Sequence, residues 1–285
     1  MKKGLVLEGG AMRGMFTAGV IDVFMENGLD FDAAVGVSAG AAFGCNIKSR
    51  QIGRAIRYNT RFCSDRRYCS ISSLIKTGDI FNTEFCYGEI PLTLDPFDFE
   101  AYEKNPMDFY TVSTDICTGR AVYHKYEGQS DHGFDWIRSS ASMPLVSRTV
   151  EIEGQKLLDG GIADSIPVRF FEQKGFDKIV VILTRPYDYR KKKNPLIPIM
   201  RLKYRKYPKL VKTMENRHSV YNDTLEYIEK KEKNGEIFVI RPPEPLMVGK
   251  IERNPKKLLE AYNTGRKETE KSLEKLKEFL VTTSG

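Results

Sequence analysis

The chain has 285 residues, of which 41% are hydrophobic and 29% are charged, so it can bury a substantial core in one large domain or two small ones. No apolar run approaches the roughly 18 residues of a membrane span. The short apolar run after Lys3 is interrupted by Glu8, which favours the first strand of a cytoplasmic protein over a signal peptide. Five cysteines form no C-x-x-C pair and three histidines are scattered, so we expect reduced thiols, no metal site and no cofactor.

The net charge of +7 comes largely from residues 190–212, which hold no acidic residue. The ten cations of this basic segment are Arg190, Lys191, Lys192, Lys193, Arg201, Lys203, Arg205, Lys206, Lys209 and Lys212. Such a block favours an anionic partner: a membrane surface, a nucleic acid or an acidic substrate. Apolar side chains are interleaved with the cations, and no nucleic-acid motif accompanies them. We therefore expect peripheral contact with anionic membrane and no nucleic acid, with a solvated basic helix as an equal alternative.

The first elements along the chain form a βαβ unit. Apolar residues 5–7, followed by a glycine-rich exit, predict a central strand. A helix is predicted from Gly14 to Asn27, because apolar side chains recur on one face. These side chains are Phe16, Val20, Val23 and Phe24. The small-residue run at 31–37 predicts a second strand, and a connection of this length makes the two strands parallel.

The middle of the chain mixes helices with turns. Residues 45–60 predict a helix, and residues 61–106 an irregular region in which Pro and Asp set turns. Two paired strands are predicted within 108–126, and a helix at 134–143 that ends at Pro144. The stretch thus interrupts the regular alternation of strand and helix.

The second half returns to alternating elements. Residues 148–161 predict a hairpin that turns at Glu153-Gly154. The later elements are a helix at 166–175, a strand at 178–184, a charged helix at 208–233, a strand at 235–242 and a helix at 258–280. This order predicts an α/β class with a mostly parallel central sheet. We interpret residues 190–235 as an insertion.

Residues 36–40, GVSAG, fit the pattern G-x-S-x-G between the second strand and a helix. In this turn Ser38 occupies a strained position, and Gly36 and Gly40 let backbone segments approach closely. The hydroxyl is then exposed at the end of the strand, beside the amide of Ala39. The pattern predicts a nucleophile elbow, whereas a simple strand-to-helix turn accounts for it equally well when it is taken alone.

A serine nucleophile needs a base. One possibility is a triad of Ser38, Asp159 and His218, and the other is a dyad of Ser38 with an aspartate. The triad order is disfavoured because Ser38 follows only the second strand and His218 lies in a charged helical stretch. We expect His218 to be a surface or capping residue.

The segment at 157–167, LLDGGIADSIP, offers the carboxylate. Asp159 ends an apolar strand and is followed by two glycines, so it is expected to be partly buried where another backbone approaches. An Asp-Gly hairpin turn is the structural alternative. Asp164 is a candidate cap for the helix that begins near Pro167.

The loop between the first strand and helix supplies a third feature. It consists of Gly9, Gly10, Ala11, Met12, Arg13 and Gly14. A glycine-rich backbone at a helix start directs N–H groups at one point, which favours a phosphate or an oxyanion. Neither the Rossmann spacing of glycines nor the P-loop Gly-Lys-Ser/Thr is present.

These three features occur in the order GGAMRG, GVSAG and DGG. Over roughly residues 3–185 the sequence thereby resembles the patatin-like phospholipase family, which combines a glycine-rich oxyanion loop, a G-x-S-x-G elbow and an Asp-Gly-Gly motif. The resemblance implies a three-layer α/β/α fold. It also implies a catalytic core at 1–185, with residues 186–285 adding the basic helical segment and a C-terminal strand and helix that complete the same domain.

The resemblance further implies the roles of the site residues. Ser38 would be the nucleophile and Asp159 its base, and SSASMP (139–144) resembles the small-residue helix that packs near the active site. The oxyanion hole would be formed by Gly9, Gly10, Ala11, Met12 and Arg13. Ala11 departs from the family's third glycine, so a positive φ at this position would strain the loop.

The leading hypothesis is a serine acyl hydrolase that cleaves carboxylic esters of lipids, of phospholipase A or lysophospholipase type, through an acyl-enzyme. The alternative is a non-catalytic protein that binds a lipid or a partner on the same scaffold. A nucleotide-binding βαβ protein is the third hypothesis, which the mismatched glycine spacing disfavours.

Overall fold

The structure, a computed structural model, describes residues 1–282. Eight strands form one sheet in the order β5-β6-β3-β2-β1-β7-β8, with β4 paired to β3. The strands are β1 (Lys3–Leu7), β2 (Ala33–Val37), β3 (Asp108–Asp115), β4 (Ala121–Lys125), β5 (Val150–Ile152), β6 (Gln155–Asp159), β7 (Lys178–Ile182) and β8 (Ile237–Ile240). The five strands from β3 to β8 along this order are parallel, and β4, β5 and β6 are antiparallel to their neighbours.

Helices flank the sheet on both sides. They are α1 (Gly14–Glu26), α2 (Ala39–Lys48), α3 (Arg54–Phe62), α4 (Ile71–Thr77), α5 (Phe99–Lys104), α6 (Asp135–Ser140), α7 (Val168–Gln173), α8 (Ile197–Lys203), α9 (Pro208–Lys233) and α10 (Pro255–Val281). Short 3-10 turns occupy Ala11–Arg13 and Gly160–Ile162, and Phe85–Leu94 forms a π-helical segment.

The side chains of the central strands alternate between two cores. In β1, Leu5 and Leu7 pack into the core that includes α1 and α10, whereas Val6 packs into the core on the α7 and α9 side. Ile182 and Val181 of β7 divide in the same way. Because successive side chains of a strand point to opposite faces, both faces of the sheet are buried. The predicted α/β fold with a mostly parallel sheet is confirmed.

Two predicted segments differ from the structure. The helix predicted at 45–60 is divided between α2 and α3, since Arg50 and Gly53 have φ values of +56° and +72° that interrupt the helix. The region predicted to be irregular at 61–106 contains α4, the π-helical segment and α5. Its turn-forming residues include helix caps: Ser70 accepts from the amide of Ser73 at 2.9 Å, and Asp98 accepts from that of Ala101 at 2.8 Å.

The C-terminal third belongs to the same sheet and layers. β8 extends the sheet by parallel pairing with β7. The stretch interpreted as an insertion contains α9, whose Tyr221, Leu225 and Ile228 are buried in the core on the α7 side, so this helix is a layer of the fold. No helix within residues 1–282 is long and apolar enough to cross a bilayer.

Candidate active site

Ser38 occupies a tight turn between β2 and α2. Its φ of +54° and ψ of −118° lie outside the regions that non-glycine residues usually adopt. A Cβ added at Gly40 would lie 2.4 Å from the carbonyl oxygen of Leu7, and one at Gly36 would lie 2.4 Å from that of Gly40. Both glycines are therefore required by the close approach of this turn to β1 and to itself.

Strand β3 brings Ser38 and Asp159 together. Val37, the residue before Ser38, pairs with Val112 of β3, and Asp159 pairs with the next residue, Ser113. Because β4 occupies the opposite edge of β3, β6 continues along the edge where β2 ends. The carboxyl ends of β2 and β6 consequently meet, and the two side chains come from strands that are far apart in sequence.

Asp159 is a buried carboxylate with several polar neighbours. Its Oδ1 accepts a hydrogen bond from the amide of Gly161 at 2.8 Å. Burial raises its pKa above the ordinary carboxyl value, and this rise is opposed by the charge of Arg217, the hydroxyl of Ser38 and the Gly161 amide. The carboxylate thus lies beside the serine hydroxyl in an environment that favours its neutral form more than water does.

Helix α6 and the turn that follows it fix both halves of this pair. The amide of Ser38 donates to Ser140 Oγ at 2.9 Å, and that hydroxyl donates to the carbonyl of Val112 at 2.6 Å. The amide of Asp159 donates to the carbonyl of Ser142 at 2.8 Å. The small-residue run at 139–144 gave a signal for close packing, but its hydrogen bonds to the elbow were not predicted.

The opening loop lies against Ser38. A Cβ added at Gly9 would lie 3.1 Å from the Cβ of Ser38. Within the residues that the structure describes, the amides of Gly9, Gly10, Ala11 and Met12 donate to no protein acceptor. Buried amides without acceptors are costly, so this loop is suited to hold a negatively charged oxygen.

Ala11 adopts a positive φ, the conformation that strains this loop at any residue other than glycine. Its φ is +48°, whereas Gly10 is extended with φ of −163°. An alanine in the left-handed region costs about 1–2 kcal/mol relative to the right-handed one. The loop therefore keeps its amide donor at residue 11 at some cost in stability.

Arg13, at the end of the opening loop, has a half-buried side chain. Its Nε is buried without a hydrogen-bond partner among residues 1–282. Burial lowers the pKa of Arg13, the charge of Arg185 lowers it further, and Glu8 opposes both effects. The guanidinium thus adds positive potential near the loop, and it does not line the cavity.

A cavity of about 110 Å³ begins at Ser38 and extends between α2, α3, α6 and the π-helical segment. Ala11, Met12 and Ala39 line its Ser38 end. Apolar and aromatic side chains form much of the remaining wall, among them Phe43, Tyr58, Phe81, Ile90, Ile137 and Met143. Such a lining is suited to a hydrocarbon chain.

The remaining sequence candidates lie away from this pair. His218 lies on α9, where its Nδ1 is 3.0 Å from the carbonyl oxygen of Glu215 one turn earlier. No imidazole hydrogen-bonds Ser38 or Asp159 in the described part of the chain. Asp164 accepts a hydrogen bond from the hydroxyl of Tyr123 at 2.7 Å and from the amide of Ile166 at 3.2 Å.

Comparison with known proteins identifies the family. The chain belongs to the patatin-like phospholipase family, which it matches over residues 5–171, and it is a hydrolase that acts on ester bonds. The family predicted from the three motifs is confirmed. Residues 207–281 also match a domain of unknown function, DUF6363.

Individual relatives cover different shares of the chain. It is 30% identical over 280 residues to an uncharacterized protein, YjjU, of Escherichia coli (strain K12), covering 92% of this chain and 74% of that protein. It is 31% identical to lysophospholipase nte1 of Emericella nidulans over 191 residues, which are 63% of this chain but only 12% of that protein. The structure of VipD from Legionella pneumophila aligns with a TM-score of 0.47 and 14% identity, covering 96% of this chain and 67% of VipD.

Proposed function

We propose that the protein is a serine acyl hydrolase that cleaves carboxylic esters of lipids, of phospholipase A or lysophospholipase type. The observation that carries this proposal is the position of Ser38 beside the buried carboxylate of Asp159, with unpaired loop amides on one side and an apolar cavity beyond. The lysophospholipase names of relatives such as that of Emericella nidulans support the substrate class.

The reaction follows from these positions. The Ser38 hydroxyl transfers its proton to Asp159 as its oxygen attacks the ester carbonyl carbon. The carbonyl oxygen becomes an oxyanion and accepts hydrogen bonds from the amides of Gly10, Ala11 and Met12. Asp159 then protonates the departing alcohol, which leaves an acyl group on Ser38.

Water completes the cycle by the same steps in reverse. Asp159 removes a proton from a water molecule, which attacks the acyl carbonyl, and the carboxylic acid leaves as Ser38 regains its proton. An aspartate without histidine suits this role because burial raises its pKa and so makes it a stronger base than an exposed carboxylate. The acyl chain would lie in the cavity beyond Ser38.

Two variants and one matched control test this assignment. Ser38→Ala should abolish both turnover of a short p-nitrophenyl ester and labelling by a fluorophosphonate, and Asp159→Asn should lower turnover by at least a hundredfold. Asp164→Asn is the control, since Asp164 is a half-buried carboxylate whose pKa is also raised by burial, but its carboxylate accepts a hydrogen bond from Tyr123. Full activity of Ser38→Ala would refute the nucleophile, and a wild-type protein that neither reacts nor turns over would favour the non-catalytic alternative.

We also propose that the basic segment at 190–212 contacts anionic membrane. Helix α8 buries Ile197 and Met200, but Leu196, Ile199 and Leu202 are 45%, 55% and 71% exposed among surrounding cations. An apolar patch beside positive charge is the usual form of a peripheral membrane contact. We propose that the protein is cytoplasmic and that this contact holds it at the periphery of a membrane. We also propose that residues 1–185 form the catalytic core and that residues 186–285 complete the same domain.

Vesicle flotation tests the membrane contact. We expect the protein to float with phosphatidylglycerol vesicles and not with phosphatidylcholine vesicles, and Leu202→Ser to lower the bound fraction severalfold. Val281→Ser is the control, because Val281 is 69% exposed at the end of α10. Equal binding to both vesicle types, or unchanged binding of Leu202→Ser, would refute the contact.

A further inference from the structure

Five cationic side chains lie near one another, and none of them lines the acyl cavity. They are Arg13, Arg185, Lys191, Arg217 and Lys250, here called the cation cluster. The members come from the loop after β1, the segment after β7, the middle of α9 and the loop after β8. The carboxyl ends of parallel strands are the edge at which open α/β sheets bind ligands.

The five side chains of the cluster form no ion pair within residues 1–282. In the same range, none of these side chains donates a hydrogen bond. The Nε atoms of Arg13 and Arg217 are buried without any partner in residues 1–282. Four of the five side chains are half-buried and Lys250 is exposed. Buried polar atoms ordinarily have a hydrogen-bond partner, so the two Nε atoms leave the arrangement incomplete without an acceptor such as an anion.

Aromatic faces hold two of the cations in place. The guanidinium carbon of Arg185 lies 4.3 Å from the ring centroid of Tyr189, and the Nζ of Lys191 lies 4.1 Å from that of Tyr221. The two rings are edge to face at 6.0 Å. Cation–π contacts position a cation without neutralising it, so the charge of both side chains is left for a ligand.

The nearest carboxylates are already engaged. Glu8 is buried, accepts hydrogen bonds from the amide and hydroxyl of Thr184 at 2.5 and 3.1 Å, and accepts another from the hydroxyl of Tyr221. Asp159 acts on Ser38. Burial and the neighbouring cations lower the pKa of Lys191 to about 7, although Glu8 opposes this effect. An anion among these cations would relieve their mutual repulsion.

Arg217 connects the cluster to the reaction centre. One of its terminal nitrogens would lie 3.1 Å from a Cβ added at Gly161, and the same Cβ would lie 3.0 Å from Asp159 Oδ1. A group held by Arg217 is thereby close to Asp159 and to an ester bond at Ser38, outside the lining of the acyl cavity.

We propose that the cation cluster binds the phosphate of a phosphoglyceride substrate and makes the enzyme prefer head groups of net negative charge. This proposal rests on the proposed ester hydrolysis. Arginine and lysine are the usual phosphate ligands in proteins. A choline head group would add a cation next to five others without a free carboxylate to receive it, so phosphocholine esters should be poorer substrates than phosphoglycerol esters.

Kinetics on three monomeric esters with the same acyl chain tests the preference. They are lysophosphatidylglycerol, lysophosphatidylcholine and monoacylglycerol. We expect kcat/KM for the phosphoglycerol ester to exceed that for each of the other two by at least tenfold. Lys191→Gln and Arg185→Gln should each reduce this ratio severalfold through KM, and Lys192→Gln, which removes an exposed cation next to Lys191, should keep it.

Binding to the inactive Ser38→Ala variant separates this site from the chemistry. Calorimetry should detect binding of sn-glycerol 3-phosphate, but not of glycerol, to this variant. The double variant Ser38→Ala/Lys191→Gln should bind sn-glycerol 3-phosphate more weakly. Absence of phosphate binding would overturn the site even if ester hydrolysis is established, and binding in a protein without esterase activity would refute the hydrolase instead. Phosphate binding without a head-group preference in turnover would overturn the assignment to substrate and indicate a site for free phosphate.

Discussion

The conformation of Ala11 leads to an unusual expectation: replacing this alanine by glycine should not destabilise the protein. An alanine at a φ of +48° has a conformational strain of about 1–2 kcal/mol, which glycine does not have. Glycine in turn loses about 0.4–1 kcal/mol, because it makes the unfolded chain more flexible. We therefore expect Ala11→Gly to leave the free energy of unfolding unchanged or to raise it by up to about 1.6 kcal/mol.

Ala163→Gly provides the matched control. Ala163 is also half-buried and lies outside a regular helix, but its φ of −91° is ordinary for alanine. The cost in the unfolded state is the same for both variants, so the difference between their free energies of unfolding isolates the strain at Ala11, about 1–2 kcal/mol.

Urea unfolding followed by circular dichroism measures this difference, provided that the slope of free energy against urea is unchanged. The amide donor is retained in Ala11→Gly, so its kcat/KM for a p-nitrophenyl ester should stay within tenfold of wild type. Equal destabilisation by Ala11→Gly and Ala163→Gly would show that residue 11 is not strained.

Three further outcomes are expected. Gly40→Ala should lower turnover by at least a hundredfold, because its Cβ would lie 2.4 Å from a carbonyl oxygen of β1. Gly88→Ala is the control and should keep wild-type turnover, since no atom lies within 4 Å of the added Cβ. Equal activities of the two variants would contradict the packing of the elbow. In pH profiles, kcat/KM should rise as the Asp159 carboxyl loses its proton, with a midpoint above the ordinary carboxyl pKa. Arg217→Gln should move that midpoint to higher pH, because it removes a positive charge that lowers the pKa of Asp159. A shift to lower pH would refute the role of Arg217. His218→Ala should keep wild-type turnover in the ester assay, and its inactivity would support a histidine triad.

The sequence was most informative where chemistry requires particular residues in adjacent positions. The elbow at Ser38 and the strand that ends at Asp159 were predicted because glycines and apolar runs are local signals. The wall of the cavity was predicted less well. The π-helical segment at Phe85–Leu94 contains Pro91 and lacks the 3.6-residue period, and its neighbours begin with caps that also resemble turns.

The cation cluster could not be predicted from the sequence for a different reason. Lys191 was one of ten cations in a segment that also fits a solvated helix, and Arg217 lay in a stretch interpreted as an insertion. Arg217 comes close to Asp159 only because α9 packs against the sheet. Long-range juxtaposition of charged side chains has no sequence period.

The pairing of β6 with β3 has a consequence for how the protein loses activity. Asp159 is held by the β5–β6 hairpin, whose outer strand β5 has only three residues and lies at the edge of the sheet. Ser38 follows β2, which lies in the middle of the sheet. Edge hairpins open at lower free energy than central strands. Opening of this hairpin would withdraw the base and leave the nucleophile in place. Activity should therefore be lost on heating before the parallel strands separate.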